Sequence, residues 1–345
     1  KRVPKVELHA HLSGSIRRST LLELAKAQGV STRVLEFDSS HTRTLSECFE
    51  IFEIIHKSIS SVEVLKRVTR EVIIDFHEDN VKYLELRTTP RALADGTSER
   101  EYVDAVLGVI RELTPNLWGS GAGGVRLLIS IDRASGAGDQ GASTVALACE
   151  YAKAHDPLVV GLDVSGNPTK GSFDAIAPAL GAARRAGLPV TVHTAEVENG
   201  PEVDAILRFR PDRLGHALVL SEAQVATLLK ATTPRPPIEL CPSSNVKTLK
   251  LGSLRDHPTA RRWLEEGYPI CINTDDTGVF ATSASLEHLS FAEAFGLGPE
   301  KMSDICCASA EFSFLPAADK AGLVRAMRAG CQKAKWLDLL SLGLL

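Results

Sequence analysis

Eight short apolar runs recur along the chain, and longer segments with helical periodicity separate them. Near-continuous apolar runs of this length are typical of parallel strands that helices cover on both faces. Eight strand–helix units in one chain predict an α/β fold, specifically a (β/α)8 TIM barrel. We expect the strands at residues 6–12, 81–89, 125–133, 159–166, 189–196, 213–220, 237–244 and 269–276.

A doubly wound open sheet is the alternative architecture. It would need about six strands and a glycine-rich first turn, whereas the first run here ends in HAHLSGS. The 345 residues fit one large barrel, and no low-complexity linker divides them. We therefore expect a single domain over 1–345.

The longest gap between strands separates the first run from the second, over about 13–80. It contains three amphipathic stretches, STLLELAKAQ, TLSECFEIFEIIHKSI and SVEVLKRVTREVIIDFHED. An insertion after the first strand of a barrel lies over the C-terminal mouth, where active sites of this fold are found. We interpret the segment as a helical lid.

A second segment, ASGAGDQGAS at 134–143, is rich in glycine and follows the third run. It lacks the GxxxxGK[ST] pattern of a phosphate-binding loop, so we interpret it as a flexible connection.

Composition excludes several classes of protein. Hydrophobic residues make up 44% and charged residues 24% of the chain, a balance typical of a folded domain and not of disorder. The net charge of −4 disfavours a dedicated nucleic-acid binder. No apolar stretch approaches the ~18 residues of a membrane span, and the first residues do not resemble a signal peptide. We expect a cytoplasmic monomer that binds neither nucleic acid nor membranes.

The seven cysteines are an odd number and include no CxxC pair. Several lie in or beside apolar runs, which favours buried reduced thiols over a disulfide framework.

Histidines and carboxylates occur where the predicted strands end. His9 and His11 are two positions apart and therefore face the same side of the first strand, His193 ends the fifth, and Asp275 closes the eighth. Because strand ends converge on one mouth of a barrel, these four side chains form a nitrogen and oxygen set suited to a catalytic Zn²⁺. Individually, each histidine could be an ordinary core residue, and the Asp275–Asp276 pair could cap a helix.

Glu196 lies three residues beyond His193, where the fifth strand turns over the mouth. A carboxylic acid in a closed pocket can have a raised pKa and act as a general acid. The alternative is a solvated glutamate in a loop.

At this point the chain resembles a known family. The motifs HAHLSGS, LELRTTPR, LDVSGNP, HTAE, RLGHA, SSNVK and NTDDTGVF, in this order, resemble the adenosine deaminase superfamily, and within it the N6-methyl-AMP deaminases. The resemblance implies one Zn²⁺ held by His9, His11, His193 and Asp275, and Glu196 as proton donor to purine N1. It further implies that His216 and Asp276 orient and deprotonate the attacking water, and that the Gly166 N–H meets purine N3.

Two related classes are disfavoured by missing residues. Binuclear amidohydrolases with the same HxH opening generally need a lysine at the end of strand four, and this chain has none before Lys170. Cytidine-deaminase-type enzymes use HxE and PCxxC motifs, which are absent here.

The residue after HAHL bears on the substrate. Adenosine and adenine deaminases carry a carboxylate there, which would repel a 5′-phosphate, whereas Ser13 can donate a hydrogen bond to one. The N6-methyl-AMP deaminases often have Asn at this position, so serine is a departure from their pattern. Further candidates for phosphate contact are His56, Thr88, Thr89, Arg91 and Arg133, each of which could instead be a surface or helix-capping residue.

These observations together predict a zinc-dependent deaminase that acts on a purine nucleotide and converts N6-methyl-AMP to IMP and methylamine. An adenosine or AMP deaminase is the nearest alternative. A non-catalytic barrel that binds nucleotide is a more remote one.

Overall fold

The computed structural model describes residues 2–35, 44–119, 121, 123–135, 139–231 and 234–341. Its centre is one sheet of eight parallel strands that follow each other in sequence order. The strands are β1 (Lys5–His11), β2 (Val81–Thr88), β3 (Gly124–Asp132), β4 (Val159–Ser165), β5 (Val190–Thr194), β6 (Arg213–His216), β7 (Ile238–Leu240) and β8 (Ile270–Ile272).

The last strand returns to the first and closes the sheet. A parallel bridge joins Ala10 to Asp275, three residues beyond the end of β8. The His11 N–H donates to the Asp275 carbonyl at 3.0 Å, and the Asp275 N–H donates to the His9 carbonyl at 2.9 Å. The predicted (β/α)8 barrel is confirmed, and the open-sheet alternative is excluded.

The strands run through a continuous apolar core. All seven residues of β4 and all five of β5 are buried, because helices cover the outer face and side chains fill the barrel. The helices are α1 (Arg18–Ala27), α2 (Leu45–Ser58), α3 (Val62–Glu78), α4 (Glu99–Trp118), α5 (Asp139–Lys153), α6 (Phe173–Arg185), α7 (Gly200–Phe209), α8 (Glu222–Lys230), α9 (Pro242–Thr248), α10 (Ala260–Glu265), α11 (Thr277–Phe280), α12 (Ala284–Phe295), α13 (Pro299–Glu311) and α14 (Ala317–Ser341).

The three amphipathic stretches between the first two strands are helices α1, α2 and α3. A capping box between Thr44 and Glu47 begins α2, and the Ser61 hydroxyl caps α3. Helix α3 packs against α4 and β2 as a member of the outer ring, while α1 packs against α2. Part of the predicted lid, 36–43, lies outside the described residues, and its role as a lid stays a prediction.

Three predicted strands end earlier than expected, at His216, Leu240 and Ile272. Strand β6 stops where His216 and Ala217 adopt positive φ angles of 59° and 53°. Strand β7 gives way to α9, whose first residue, Pro242, favours the start of a helix. Apolar residues continue beyond the last residue of β6 and of β7, so these turns could not be recognised from the sequence.

The flexible connection predicted at 134–143 also ends earlier than expected. Helix α5 begins at Asp139, so the second half of this segment is helical. Residues 136–138 lie outside the described part of the chain.

The structure describes all seven cysteines, none of which forms a disulfide bond, and six of them are buried. Among the described helices, none combines the length and the apolar character that a bilayer crossing requires.

Candidate active site

The side chains singled out at the strand ends meet at one mouth of the barrel. Among the described residues, two overlapping groups have possible ligand atoms within 4.8 Å of one another. One contains His9, His193, His216 and Asp275, and the other contains His11, Asp163 and His193. The four predicted ligands therefore converge, and geometry alone adds His216 as a further candidate.

The distances among the four predicted ligands suit one small ion. The Asp275 Oδ1 atom lies 3.4 Å from the Nε2 atoms of both His9 and His11, and the Nε2 atoms of His11 and His193 are 3.1 Å apart. Tetrahedral coordination with bonds of about 2.0 to 2.1 Å places ligand atoms roughly 3.3 to 3.4 Å apart. Three edges of the expected polyhedron are thus present.

A carboxylate lies behind the ring of each of two histidines. The Nδ1 atom of His9 lies 2.6 Å from Glu239 Oε2, and that of His193 lies 3.2 Å from Asp163 Oδ1. A ring that donates from Nδ1 presents the Nε2 lone pair to a metal. The Nε2 atom of His9 is buried without a hydrogen-bond partner, which fits a metal ligand.

Two buried arginines hold these carboxylates in the ionised form. Arg87 donates to Asp163 at 2.8 Å and to Glu239 at 3.0 Å, and Arg213 donates to Glu239 at 2.6 Å. Burial alone would raise the pKa of both acids, but Arg87 lowers it for both, and the two pKa values lie well below their usual range. The sequence analysis missed this network, although charged residues inside apolar strands were its visible signal.

Two further carboxyl groups at the mouth are poor acids. Burial raises the pKa of Glu196, and the charge of Asp275 adds to the effect. Burial and the adjacent Asp275 carboxylate raise the pKa of Asp276 well above its usual range. His216 lies beside them, with Nε2 3.8 Å from Glu196 Oε2, and burial lowers the pKa of its ring. Burial thus favours the protonated form of both carboxyl groups, which suits them to exchanging protons with a bound substrate.

The backbone around these groups is strained. Ala195, His216, Ala217 and Asp275 all have φ between 53° and 60°, a region that residues with a side chain rarely adopt. Such residues persist where the surrounding structure fixes them, and they cluster at functional sites. They lie at or shortly after the ends of strands β5, β6 and β8.

Gly14 in the HAHLSGS motif is required by close packing. A Cβ atom at this position would lie 1.6 Å from Asp276 Oδ1. Helix α11 begins after Asp276, but the Asp276 side chain makes no capping hydrogen bond to it and stays directed elsewhere. The helix-cap alternative for the Asp275–Asp276 pair therefore does not account for the Asp276 side chain.

The candidate phosphate contacts fall into two places. Beyond the ends of β1 and β2, the Tyr102 hydroxyl lies 2.9 Å from Thr88 Oγ1 and also hydrogen-bonds Ser13. Arg91 donates to the carbonyls of His56 and Ile59 at 3.1 Å each, so it holds the end of α2. The half-buried Thr89 follows Thr88 directly. Tyr102, on helix α4, is a member of this group that sequence reasoning missed.

Arg133 lies elsewhere and is already paired. Its guanidinium contacts Glu202 and donates to the Lys170 carbonyl at 2.9 Å, which ties the loop after β4 to the start of α7. Gly166, in the same loop region, has φ +99°, and a Cβ there would lie 2.1 Å from Asp132 Oδ1. Only glycine fits this position, which leaves the backbone at the end of β4 open to a close approach.

A closed parallel barrel with histidine nitrogens and a buried aspartate oxygen converging at its C-terminal mouth defines a metal-dependent hydrolase. The chain belongs to the adenosine deaminase family, whose model matches residues 4–329. This confirms the family resemblance of the sequence motifs, and with it a hydrolytic deaminase.

Similar proteins cover nearly the whole chain. An adenosine deaminase-like protein of Drosophila melanogaster is 39% identical over 322 residues, covering 91% of this chain and 92% of the relative. The N6-mAMP deaminase of Arabidopsis thaliana is 38% identical over 336 residues, covering 90% and 92%. A crystal structure of Arabidopsis ADAL complexed with IMP superposes with a TM-score of 0.87 at 35% identity, covering 96% of this chain and 98% of that one.

Proposed function

We propose that this protein hydrolyses N6-methyl-AMP to IMP and methylamine. The observation that carries the proposal is the placement of two carboxyl groups with raised pKa, the half-buried Glu196 and the buried Asp276, beside one cluster of possible metal-ligand atoms. The Arabidopsis relative named for this substrate and the homologue complexed with IMP support the choice of purine nucleotide.

The metal ion is proposed to be a single Zn²⁺ held by His9, His11, His193 and Asp275. Three imidazole nitrogens and one carboxylate oxygen match the preferences of zinc, and a water would bind as a fifth ligand. When bound there, the ion would supply a water whose pKa is lowered to about 7.

The protein's own groups carry the protons. Asp276, whose raised pKa makes it a strong base for a carboxylate, accepts a proton as the water oxygen bonds to purine C6. Glu196, whose pKa is raised by burial, donates a proton to purine N1. The C6–N6 bond then breaks, and the amine leaves with the proton that Asp276 accepted. The second proton of the water returns to Glu196, so the product has a C6 carbonyl and a protonated N1.

Recognition of the 5′-phosphate is proposed to involve the hydroxyl groups beyond the ends of β1 and β2 together with Arg91. Ser13, Tyr102 and Thr88 offer hydroxyls in one hydrogen-bonded set, and Arg91 supplies a positive charge beside His56. A carboxylate is absent at position 13, so nothing there repels a phosphate. Arg133 is a weaker candidate because Glu202 compensates its charge.

The test is kcat/KM for N6-methyl-AMP, AMP, N6-methyl-adenosine and adenosine, with metal content measured on the same protein. Charge-assisted hydrogen bonds are worth about 1.5 to 3 kcal/mol each, so two of them should favour the nucleotide by about 10²- to 10⁴-fold. We also expect about one equivalent of zinc per chain. Ser13→Asp should move the preference towards the nucleoside without changing metal content.

Equal or better turnover of adenosine by the wild-type protein would show that the chain is an ordinary adenosine deaminase. Stoichiometric zinc without turnover of any N6-substituted purine would favour the non-catalytic nucleotide-binding barrel.

A further inference from the structure

A chain of buried hydrogen bonds leads from helix α10 to the active-site mouth. At its far end, the backbone N–H groups of Thr259 and Ala260 donate to His257 Nδ1 at 3.3 and 3.1 Å. A backbone N–H can only donate, so His257 Nδ1 carries no proton and its Nε2 does. Burial also lowers the pKa of His257 to about 4, which keeps this ring neutral.

The proton on His257 fixes the orientation of the next side chain. Asn245 Oδ1 lies 3.1 Å from His257 Nε2 and also accepts from the Cys241 N–H at 3.4 Å. A flipped amide would place its NH₂ group against two donors. Its Nδ2 atom therefore faces the other way and donates to His216 Nδ1 at 3.0 Å.

The consequence at the mouth follows from counting protons on the His216 ring. Since its Nδ1 accepts a hydrogen bond, the neutral ring carries its proton on Nε2. That Nε2 atom is buried without a hydrogen-bond partner and lies among His9, His193 and Asp275. An N–H group there can donate a hydrogen bond but has no lone pair for a metal.

His9 and His193 have the opposite arrangement. The groups behind their Nδ1 atoms are the Glu239 and Asp163 carboxylates, which can only accept, whereas the group behind His216 is an amide NH₂, which can only donate. The group that contacts Nδ1 thus decides the role of each ring. A carboxylate there leaves Nε2 free to bind a metal, whereas an amide NH₂ there makes Nε2 a hydrogen-bond donor.

We propose that Asn245, held by His257, is a positioning residue that makes His216 a hydrogen-bond donor to the attacking water and excludes it from both the metal's ligands and the role of base. This deepens the proposed function and rests on it. It gives the SSNVK motif a role: Asn245 sets the tautomer of a residue it contacts, without touching the substrate. The water's proton must then go to Asp276.

The direct test is nitrogen NMR of the zinc-loaded protein with ¹⁵N-labelled histidine, with His216 assigned through His216→Asn. We expect His216 to be protonated on Nε2 and unprotonated on Nδ1, the reverse of the metal-bound His9 and His193. A His216 ring protonated on Nδ1 would overturn the proposal.

Asn245→Asp is the matching perturbation, because it places a carboxylate behind His216 as in the ligand histidines. We expect the His216 tautomer to reverse and kcat to fall about 10²- to 10³-fold, the usual effect of losing one preorganised donor, while KM stays within a few fold. Wild-type kcat together with a reversed tautomer would contradict the role of the donor.

A second variant covers the case in which Asn245→Asp does not fold. His257→Phe removes the shorter of the two hydrogen bonds that fix the Asn245 amide and leaves only the one from the Cys241 N–H at 3.4 Å, so we expect mixed His216 tautomers and a lower kcat with zinc content unchanged. The matched control is His288→Phe, which removes another buried histidine, one whose Nδ1 hydrogen-bonds the Ala284 carbonyl in its own helix. An equal loss of kcat in both variants, with an unchanged His216 tautomer, would refute the role of His257 and Asn245 in setting that tautomer.

Failure of this positioning role and failure of the proposed function are distinguishable. If His216 is protonated on Nε2 but the protein turns over none of the N6-substituted purines, the positioning role of Asn245 is supported and the proposed function is refuted. Normal turnover with a His216 ring protonated on Nδ1 would support the proposed function and refute the positioning role of Asn245.

Discussion

Glu239 is the side chain whose replacement best separates metal binding from fold stability. Its Oε2 atom accepts from His9 Nδ1 at 2.6 Å and from Arg87 at 3.0 Å, and its Oε1 atom accepts from Arg213 at 2.6 Å and Thr191 at 2.9 Å. In Glu239→Gln, an NH₂ group replaces one of these oxygens and faces an arginine in either orientation. The variant also leaves positive charge in the barrel uncompensated.

Two separate losses follow from that geometry. Removing one partner of a buried ion pair costs about 3 to 5 kcal/mol in the free energy of unfolding. Loss of the carboxylate that orients a metal-binding histidine typically weakens metal affinity about 10- to 100-fold, or roughly 1.4 to 2.7 kcal/mol. We therefore expect Glu239→Gln to lower both the stability of the metal-free protein and its zinc affinity.

Glu85→Gln is the matched control. Glu85 is equally buried and accepts from Arg213 at 2.6 Å, but its other contacts are Tyr83 and the Phe314 N–H. It should lose comparable stability in thermal or denaturant unfolding and keep its zinc affinity in competition with a chromophoric chelator. Equal zinc affinity in the two variants would refute the orienting role of Glu239.

Two further outcomes can be measured. Glu196→Gln should keep zinc and nucleotide binding but lose at least about 10²-fold in kcat, because an amide cannot deliver the proton; activity within a few fold of wild type would assign the donor elsewhere. Burial raises the pKa of Glu287 from 4.5 to about 7, so its contribution to folding is complete below pH 4.5 and is lost as the pH rises through 7. Glu287→Gln should therefore match wild type near pH 4 and exceed it by up to about 3 kcal/mol at pH 8 in denaturant unfolding, and a constant difference across this range would contradict the shift.

The barrel and the core of the site could be predicted because their signals are local. Apolar runs identify strands that are buried on both faces, and the alternation of a strand places His9 and His11 on one side. Strand ends of a parallel barrel share one mouth, so His193 and Asp275 could be joined to them without knowledge of distances.

The supporting groups could not be predicted because their partners are distant in sequence. Whether Glu239 meets His9, 230 positions away, depends on the register of strands β1 and β7 and on barrel closure. Asp163 is a charged residue inside an apolar run, which indicates a buried partner, but nothing local identifies Arg87 or His193 as that partner. Tyr102 is on a helix, and its proximity to Ser13 follows from packing alone.

The bridge between Ala10 and Asp275 also determines when the metal site can form during folding. The proposed metal ligands His9 and Asp275 are separated by most of the sequence, so their ligand atoms are in range of one ion only after the first and last strands have paired. A chain emerging from the ribosome therefore cannot assemble the full ligand set until its eighth strand is made. Closing so long a loop is slow, and an ion that bridges its ends stabilises the closed state by mass action. Zinc uptake during refolding should accordingly be a late step that reports barrel closure, and chelation should lower resistance to unfolding first at the seam between β1 and β8.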